Sequence, residues 1–256
     1  MKKYELTDEY IEIGLVTKVK LYRIKALVAI ASIGVNAGDL GGYIENESNL
    51  AQTGNAWVYG NAKVYGDAWV SGNAKVYGNA KVYGNAKVYG DAWVSGNAKV
   101  YGNAKVYGDA WVSGNAKVYG NAKVYGNAKV LDNAEVYGNA EVFGDAKVYG
   151  NAKVYGNARV YGNAKVLDNA EVYGNAEVFG DAKVSERSDI VWFSNVGTEY
   201  GTLTVFKTKQ GVLWATRGCF SGSVEEFLKK SAEVHDEKTK REYQLLIEVA
   251  KSRLGE

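Results

Sequence analysis

Asn97-Ala98-Lys99-Val100-Tyr101-Gly102, followed at once by Asn103-Ala104-Lys105-Val106-Tyr107-Gly108, is the unit from which about half of this chain is built. Alanine recurs every six residues from Ala56 to Ala182 and valine from Val58 to Val184, which gives 22 hexads of the form Asn/Asp-Ala-x-Val-Tyr-Gly. Ala and Val stand two apart, so both point to one side of an extended strand, while x and the Tyr after Val point to the other. Gly with Asn or Asp tolerates the left-handed backbone angles that a corner needs. A two-residue apolar face cannot bury itself, whereas stacking coil on coil buries a continuous Ala/Val column. Three hexads close a triangle, so residues 18 apart should stack. The sequence agrees: Leu131–Val148 recurs letter for letter at Leu167–Val184, a shift of 36, and Asp91-Ala92-Trp93-Val94-Ser95 recurs at Asp109–Ser113, a shift of 18. The expectation is a mainly β protein with a triangular parallel solenoid of about seven coils over residues 51–184, about 35 Å long at ordinary strand spacing.

The flanks lack the period. Residues 1–50 are expected to form a small β cap, with Tyr10–Ile13 and Val19–Ile24 alternating as strands about Gly14, and Gly38–Ile44 leading into the hexads. Residues 185–256 open on a polar break, Ser185–Asp189. Three strands are expected next, Ile190–Val196, Thr202–Thr208 and Val212–Arg217, the last two joined across Lys209-Gln210-Gly211. Two helices follow. Ser223-x-x-Glu226 is a capping box for the first, and Tyr243, Leu246, Ile247, Ala250 and Leu254 make the apolar stripe of the second, which starts near Asp236.

Composition narrows the function. A net charge of +2 on 256 residues is not that of a strongly basic nucleic-acid binder. One cysteine, Cys219, excludes an internal disulfide framework. Met1-Lys2-Lys3 is followed by no apolar stretch, and the apolar run Ala26–Ile33 is far short of a membrane span, so a cytoplasmic protein with no membrane partner is expected.

Val58-Tyr59-Gly60-Asn61-Ala62-Lys63 is similar to the hexapeptide repeat of left-handed β-helix proteins, and the left hand is implied by that resemblance alone. The wider layout resembles phage and prophage hexapeptide-repeat proteins. Its marks are Leu21–Leu27, Gly38–Glu45, the hexads, and the tail Thr216–Phe227. That resemblance implies a phage-type protein in the host cytoplasm and brings no established activity. Proteins with such repeats are often trimers; a dimer through the terminal elements is equally open.

Sorting by 18 gives the outward columns. Tyr65, Tyr83, Tyr101, Tyr119, Tyr137, Tyr155 and Tyr173 form an unbroken one. Trp57, Trp93 and Trp111 share another, with Lys75 between the first two, and Trp69 lies on a third. Tyrosine columns can stack on themselves or offer a contact surface. Tryptophan dominates interface hot spots, although Ser71, Ser95 and Ser113, each two residues after a Trp, leave room for an indole to lie flat. Trp57, Trp93, Trp111, Trp69, Lys75, Tyr65, Tyr83, Tyr101 and Tyr119 are therefore the candidate binding surface. From Gly54 to Val130 nine Lys face three Asp, a net of +6; from Leu131 to Val184 five basic face eight acidic residues, a net of −3. A protein partner fits the aromatics best. Nucleic acid is the alternative, with lysines on phosphates and bases stacked on tyrosines.

An enzyme reading has less to stand on. Acyltransferases with such repeats use a histidine base beside a coil and a loop excursion, but the hexads carry no insertion and the one histidine, His235, lies between the two expected helices. Cys219 reads as a small buried apolar residue, with no histidine near in sequence. No spacing suits a metal, and the Gly-Asn pairs are corners, so no catalytic, cofactor or metal site is expected.

Overall fold

The computed structural model describes residues 1–208 and 210–255. Two long strands, β1 (Tyr4–Ile13) and β2 (Val19–Ala26), form an antiparallel hairpin, and β3 (Leu40–Ile44) pairs with β2. Twenty-two two-residue strands follow, β4 to β25, from Trp57–Val58 to Lys183–Val184. Four more strands, β26 (Ile190–Val196), β27 (Gly201–Lys207), β28 (Leu213–Arg217) and β29 (Phe220–Ser223), precede helices α1 (Val224–Val234) and α2 (Glu237–Leu254).

The short strands form three parallel sheets in register at 18 residues, as in Trp93 on Trp111 and Lys99 on Lys117. Face I carries outward Lys63, Lys81, Lys99, Lys117, Glu135, Lys153 and Glu171. Face II carries Trp69, Lys87, Lys105, Lys123, Glu141, Arg159 and Glu177. Face III carries Trp57, Lys75, Trp93, Trp111, Lys129, Lys147, Lys165 and Lys183. Inside, every hexad Ala and Val is buried, in one core that runs from Tyr4 in the hairpin to Phe206 beyond the last coil. The corners turn on residues with positive φ. Gly fills most of these sites, but Asp132 and Asp168 take two of them, at φ 59° and 54°.

The solenoid has about eight turns, one more than the hexads alone supply. β3 pairs in parallel with the next coil through Tyr43 on Lys63 and Ile44 on Val64, and Leu50 bridges Val70. These partners are 20 apart, while Trp57 and Lys75 are 18 apart. The first turn therefore carries two extra residues between Leu50 and Trp57, and Ile44 and Leu50 stand where later coils have Val. A six-residue search passes over it for that reason.

Both ends are closed by polar groups aimed at the open coil edges. At the first coil the buried Lys3 ammonium donates to the carbonyls of Ala56 (2.8 Å) and Gly54 (3.4 Å). The Tyr4 hydroxyl donates to the Leu50 carbonyl (2.7 Å), and the Asn49 amide to those of Gly66 and Ala68 (both 2.8 Å). At the last coil the Glu177 N–H donates to Thr204 Oγ1 (3.2 Å), the Thr216 hydroxyl donates to the Glu177 carbonyl (3.3 Å), and Ala182 bridges Thr208. Uncapped sheet edges invite chain-to-chain pairing, and these contacts remove that template.

The C-terminal element is a sandwich on that end. One side of the four-stranded sheet presents Ile190 and Phe206 to the solenoid core; the other packs Val191, Leu203, Val205, Leu213 and Ala215 on Phe227, Tyr243, Ile247, Ala250 and Leu254 of the helices. The capping box forms as expected, Ser223 accepting from Glu226 N–H, and Asp236 caps α2. One strand more than expected is present, β29, because the Gly218-Cys219 turn is only two residues long and the strand runs straight into the helix cap. Of the turn expected at Lys209-Gln210-Gly211, Lys209 lies outside the described residues.

Candidate interaction surface

The tyrosine column of face I is a stack of rings. Tyr65 to Tyr173 repeat at 4.8–4.9 Å between centroids with planes within 5° of parallel. The column at the end of face II behaves the same way, from Tyr89 through Phe143 to Phe179 at 4.7–4.9 Å. Strand spacing sets the repeat, because each ring hangs from one coil. Tyr65, Tyr83, Tyr101 and Tyr119 are half-buried; Tyr83, Tyr101 and Tyr119 have both π-faces covered by neighbouring rings, while Tyr65, the first of the stack, has one covered, by Tyr83. Burial, with the Tyr83 phenol beside it, pushes the Tyr65 hydroxyl up to about 12.

The tryptophans divide. Trp57 was expected on the surface, but it is 1 % exposed, edge-on to Tyr4 at 6.2 Å, and belongs to the core under the N-terminal hairpin. The hairpin that closes the first coil takes it out of solvent. Trp93 is 40 % exposed on face III, edge-on to Tyr77 (5.9 Å) and Trp111 (6.2 Å), with Lys75 Nζ 4.8 Å from its ring centre. Trp111 is half-buried. Its indole N–H reaches back to Ser95 Oγ (3.3 Å) in the space a tyrosine would fill, and Lys129 Nζ lies 5.2 Å from its ring centre. Trp69 is 41 % exposed on face II, away from the other two. The structure thus assembles Lys75, Trp93, Trp111 and Lys129 into one strip and leaves Trp69 alone.

Charge is sorted by face as well as along the axis. All four outward Glu of the hexads lie on faces I and II, opposite cations one coil earlier: Lys117–Glu135 and Lys123–Glu141 (both 2.8 Å), Lys153–Glu171 (4.0 Å) and Arg159–Glu177 (3.3 Å). The Lys123 hydrogen bond, against a smaller opposing cost of burial, holds Glu141 below the usual carboxylate range. Tyr119 and Tyr125 also donate to these carboxylates (3.0 and 3.1 Å). Face III carries no outward Glu. Its corners hold the acids instead, Asp91, Asp109, Asp145 and Asp181 before its strands and Asp132 and Asp168 after them. The period of six alone does not show this; sorting by 18, which assigns each hexad to a face, does.

Cys219 was expected to be buried. It is exposed in the β28–β29 turn, where two residues leave no room to tuck a side chain inward. Cys219 and His235 line one cavity of about 380 Å³ in the C-terminal element, with Arg217, Phe220, Phe227 and Tyr243. His235 Nδ1 is engaged with Ser231 Oγ (3.2 Å). Among the described residues no group of three or more His, Cys, Asp or Glu could hold a metal, and no helix is long and apolar enough to cross a membrane.

Residues 80–96, 98–114 and 152–168 match the YdcK Beta solenoid repeat. Each match is about one coil long, which fits the 18-residue register seen in the sheets. No curated protein matches the chain. The chain is a β-solenoid repeat protein, and the parts of its surface that depart from the repeat are the places to look for its role.

Proposed function

We propose that the solenoid is a rigid, non-catalytic scaffold that binds a protein partner through the Lys75–Trp93–Trp111–Lys129 strip of face III. The observation that carries this is the half-open tryptophan pair. Exposed indole is costly to leave in water, and Trp93 and Trp111 sit together on a flat sheet, each with an ammonium over its ring. A fixed aromatic pair loses little entropy on docking. The non-catalytic part of the reading is supported by hexads that run without insertion from Trp57 to Val184, and by the place of His235, beyond the coils and bonded to Ser231. We further propose a phage-type protein of the host cytoplasm, acting on a host or phage protein as a homo-oligomer, a trimer or a dimer; light scattering measures the last point.

The test is capture from host lysate with the wild-type chain and with a Trp93→Ala/Trp111→Ala variant. Hot-spot tryptophans contribute about 2 kcal/mol or more each, so the double variant should lose the captured protein while keeping its far-UV circular dichroism. An unchanged set of captured proteins removes the reading.

A further inference from the structure

A nearly buried guanidinium stands at the wall of the C-terminal cavity with fewer partners than its burial calls for. Arg217 is the last residue of β28, and its side chain is 11 % exposed. The chain makes room for it. A methyl on Gly201 would stand 2.5 Å from Nη1 and 2.6 Å from Cζ, and one on Gly197 would stand 3.4 Å from Nη2, so the group lies against two glycines of the β26–β27 hairpin. A guanidinium carries five N–H donors. Among the described residues Arg217 makes one hydrogen bond, from Nη2 to the Val196 carbonyl (3.1 Å), and Nε is sealed from solvent without a partner. The one carboxylate within 4 Å among these residues is Glu199, 3.8 Å from Nη1, beyond hydrogen-bonding distance, with a side chain 83 % exposed. Glu177, which borders a second, smaller cavity together with Arg217, is held by Arg159 (3.3 Å). A cation taken out of water needs a close counter-ion and acceptors for its remaining donors, and this one has a distant, solvated carboxylate.

The cavity that Arg217 borders is about 380 Å³, in the range of small-molecule sites. The charged side chains on its wall are Arg217, Lys230 and Glu199, two cations to one carboxylate, and Lys230 meets the exposed Glu233 at 3.5 Å. Opposite these groups the wall is aromatic. Phe227 packs edge-on to both Phe220 (5.2 Å) and Tyr243 (5.0 Å), and Val234, 56 % exposed at the end of α1, continues the apolar lining to the rim. We infer that this cavity binds a small organic monoanion, a carboxylate on an apolar or aromatic body. The carboxylate takes the place of Glu199 against Arg217, and the body lies on Phe220, Phe227 and Val234. Each part of the class has its own reason. The surplus of one positive charge on the wall is balanced by a monoanion. A planar carboxylate matches a planar guanidinium. A bare inorganic anion would leave the aromatic wall in water. The site lies beyond the last coil and does not depend on the face III strip.

The test is calorimetric titration of the full chain with 3-phenylpropionate, with 3-phenylpropionamide, 3-phenylpropylamine, acetate and inorganic phosphate as comparators. The acid should bind about tenfold or more tighter than its amide, since the difference is a charged hydrogen bond to a desolvated guanidinium. The amine should not bind, and acetate and phosphate should bind more weakly than the acid. Arg217→Lys keeps the charge, loses the planar fork and should weaken binding by about tenfold. Two exposed positions keep the test sound should that variant disturb the hairpin, which its urea midpoint reports. Glu199→Gln removes the competing carboxylate and should tighten binding by up to about fivefold, and Lys230→Gln should weaken it by up to about fivefold. Lys147→Gln, the same loss of charge on face III, should leave it unchanged. No binding of 3-phenylpropionate at millimolar concentration, equal affinity for acid and amide, tighter binding of phosphate, or weaker binding by Glu199→Gln would each overturn the inference.

Discussion

Replacing Gly120 by Ala should cost about 1–2 kcal/mol, whereas the corner at Asp132 already holds a side chain at positive φ. Gly120 sits at φ 69°, a conformation that costs an L-residue about 1–2 kcal/mol. An added methyl would stand 3.0 Å from the Gly138 nitrogen and 3.1 Å from its carbonyl oxygen. Those atoms cannot retreat, because the Gly138 carbonyl accepts from Asn121 N–H at 2.8 Å in the coil ladder. Stiffening of the unfolded chain returns only about 0.4–1 kcal/mol. Asp132 occupies the equivalent corner twelve residues on, at φ 59°, and its carboxylate accepts from the Gly150 N–H at 3.1 Å. Asp132→Gly should therefore be near neutral, losing that hydrogen bond and gaining freedom in the unfolded chain while relieving the backbone. Asp132→Ala should cost about 1 kcal/mol or more, since it keeps the strained angle and loses the bond. Repeat arrays need not unfold in one step, so urea melts should be paired with hydrogen exchange of the amides in the coils on either side. A neutral Gly120→Ala, or an Asp132→Gly that stabilises by more than about 1 kcal/mol, would refute the account: the first says the corner is not strained, the second that the Asp bond carries nothing.

Three further outcomes are expected. Asp91 and Asp109 are neighbours in a corner ladder where Asn73 already donates to Asp91 at 2.9 Å, so Asp109→Asn should supply a missing donor and stabilise the fold by about 0.5–1 kcal/mol, read as a higher urea midpoint. Tyr65, Tyr125, Tyr155 and Tyr161 are each pushed up to about 12, chiefly by burial, from an ordinary 10.0. The unfolded chain releases these protons first, so stability should fall as pH rises from about 10 to about 12, with tyrosinate absorbance appearing as the fold is lost; early, non-cooperative absorbance would contradict this. Burial lowers Lys3 to about 8 from 10.5. Between those values the unfolded chain holds a proton that the folded chain has lost, so the Lys3 contribution to stability should rise with pH over that window, and a Lys3→Met variant should lack the rise.

Much of this molecule is written in its repeat. Ala and Val two apart, with Gly-Asn corners, call for a buried interior built by stacking coils, and the 18-residue recurrences point to three sides per coil, which the three parallel sheets bear out. The capping box at Ser223 and the start of the second helix near Asp236 are equally local and equally readable. What the sequence could not decide depends on contacts between residues far apart in the chain. Trp57 and Trp93 occupy the same column with the same flanking valine, yet one is sealed under Tyr4 and the other is open, because only a hairpin 50 residues upstream distinguishes them. The tyrosine columns were visible, but their use was not: whether a ring offers its face or its edge is fixed by the strand spacing that lays one ring on the next. Lys81 and Lys153 read alike in their hexads, and only the coil below decides that one remains a free cation while the other meets Glu171. The period of six set the interior; the surface was decided by what each coil stacks upon.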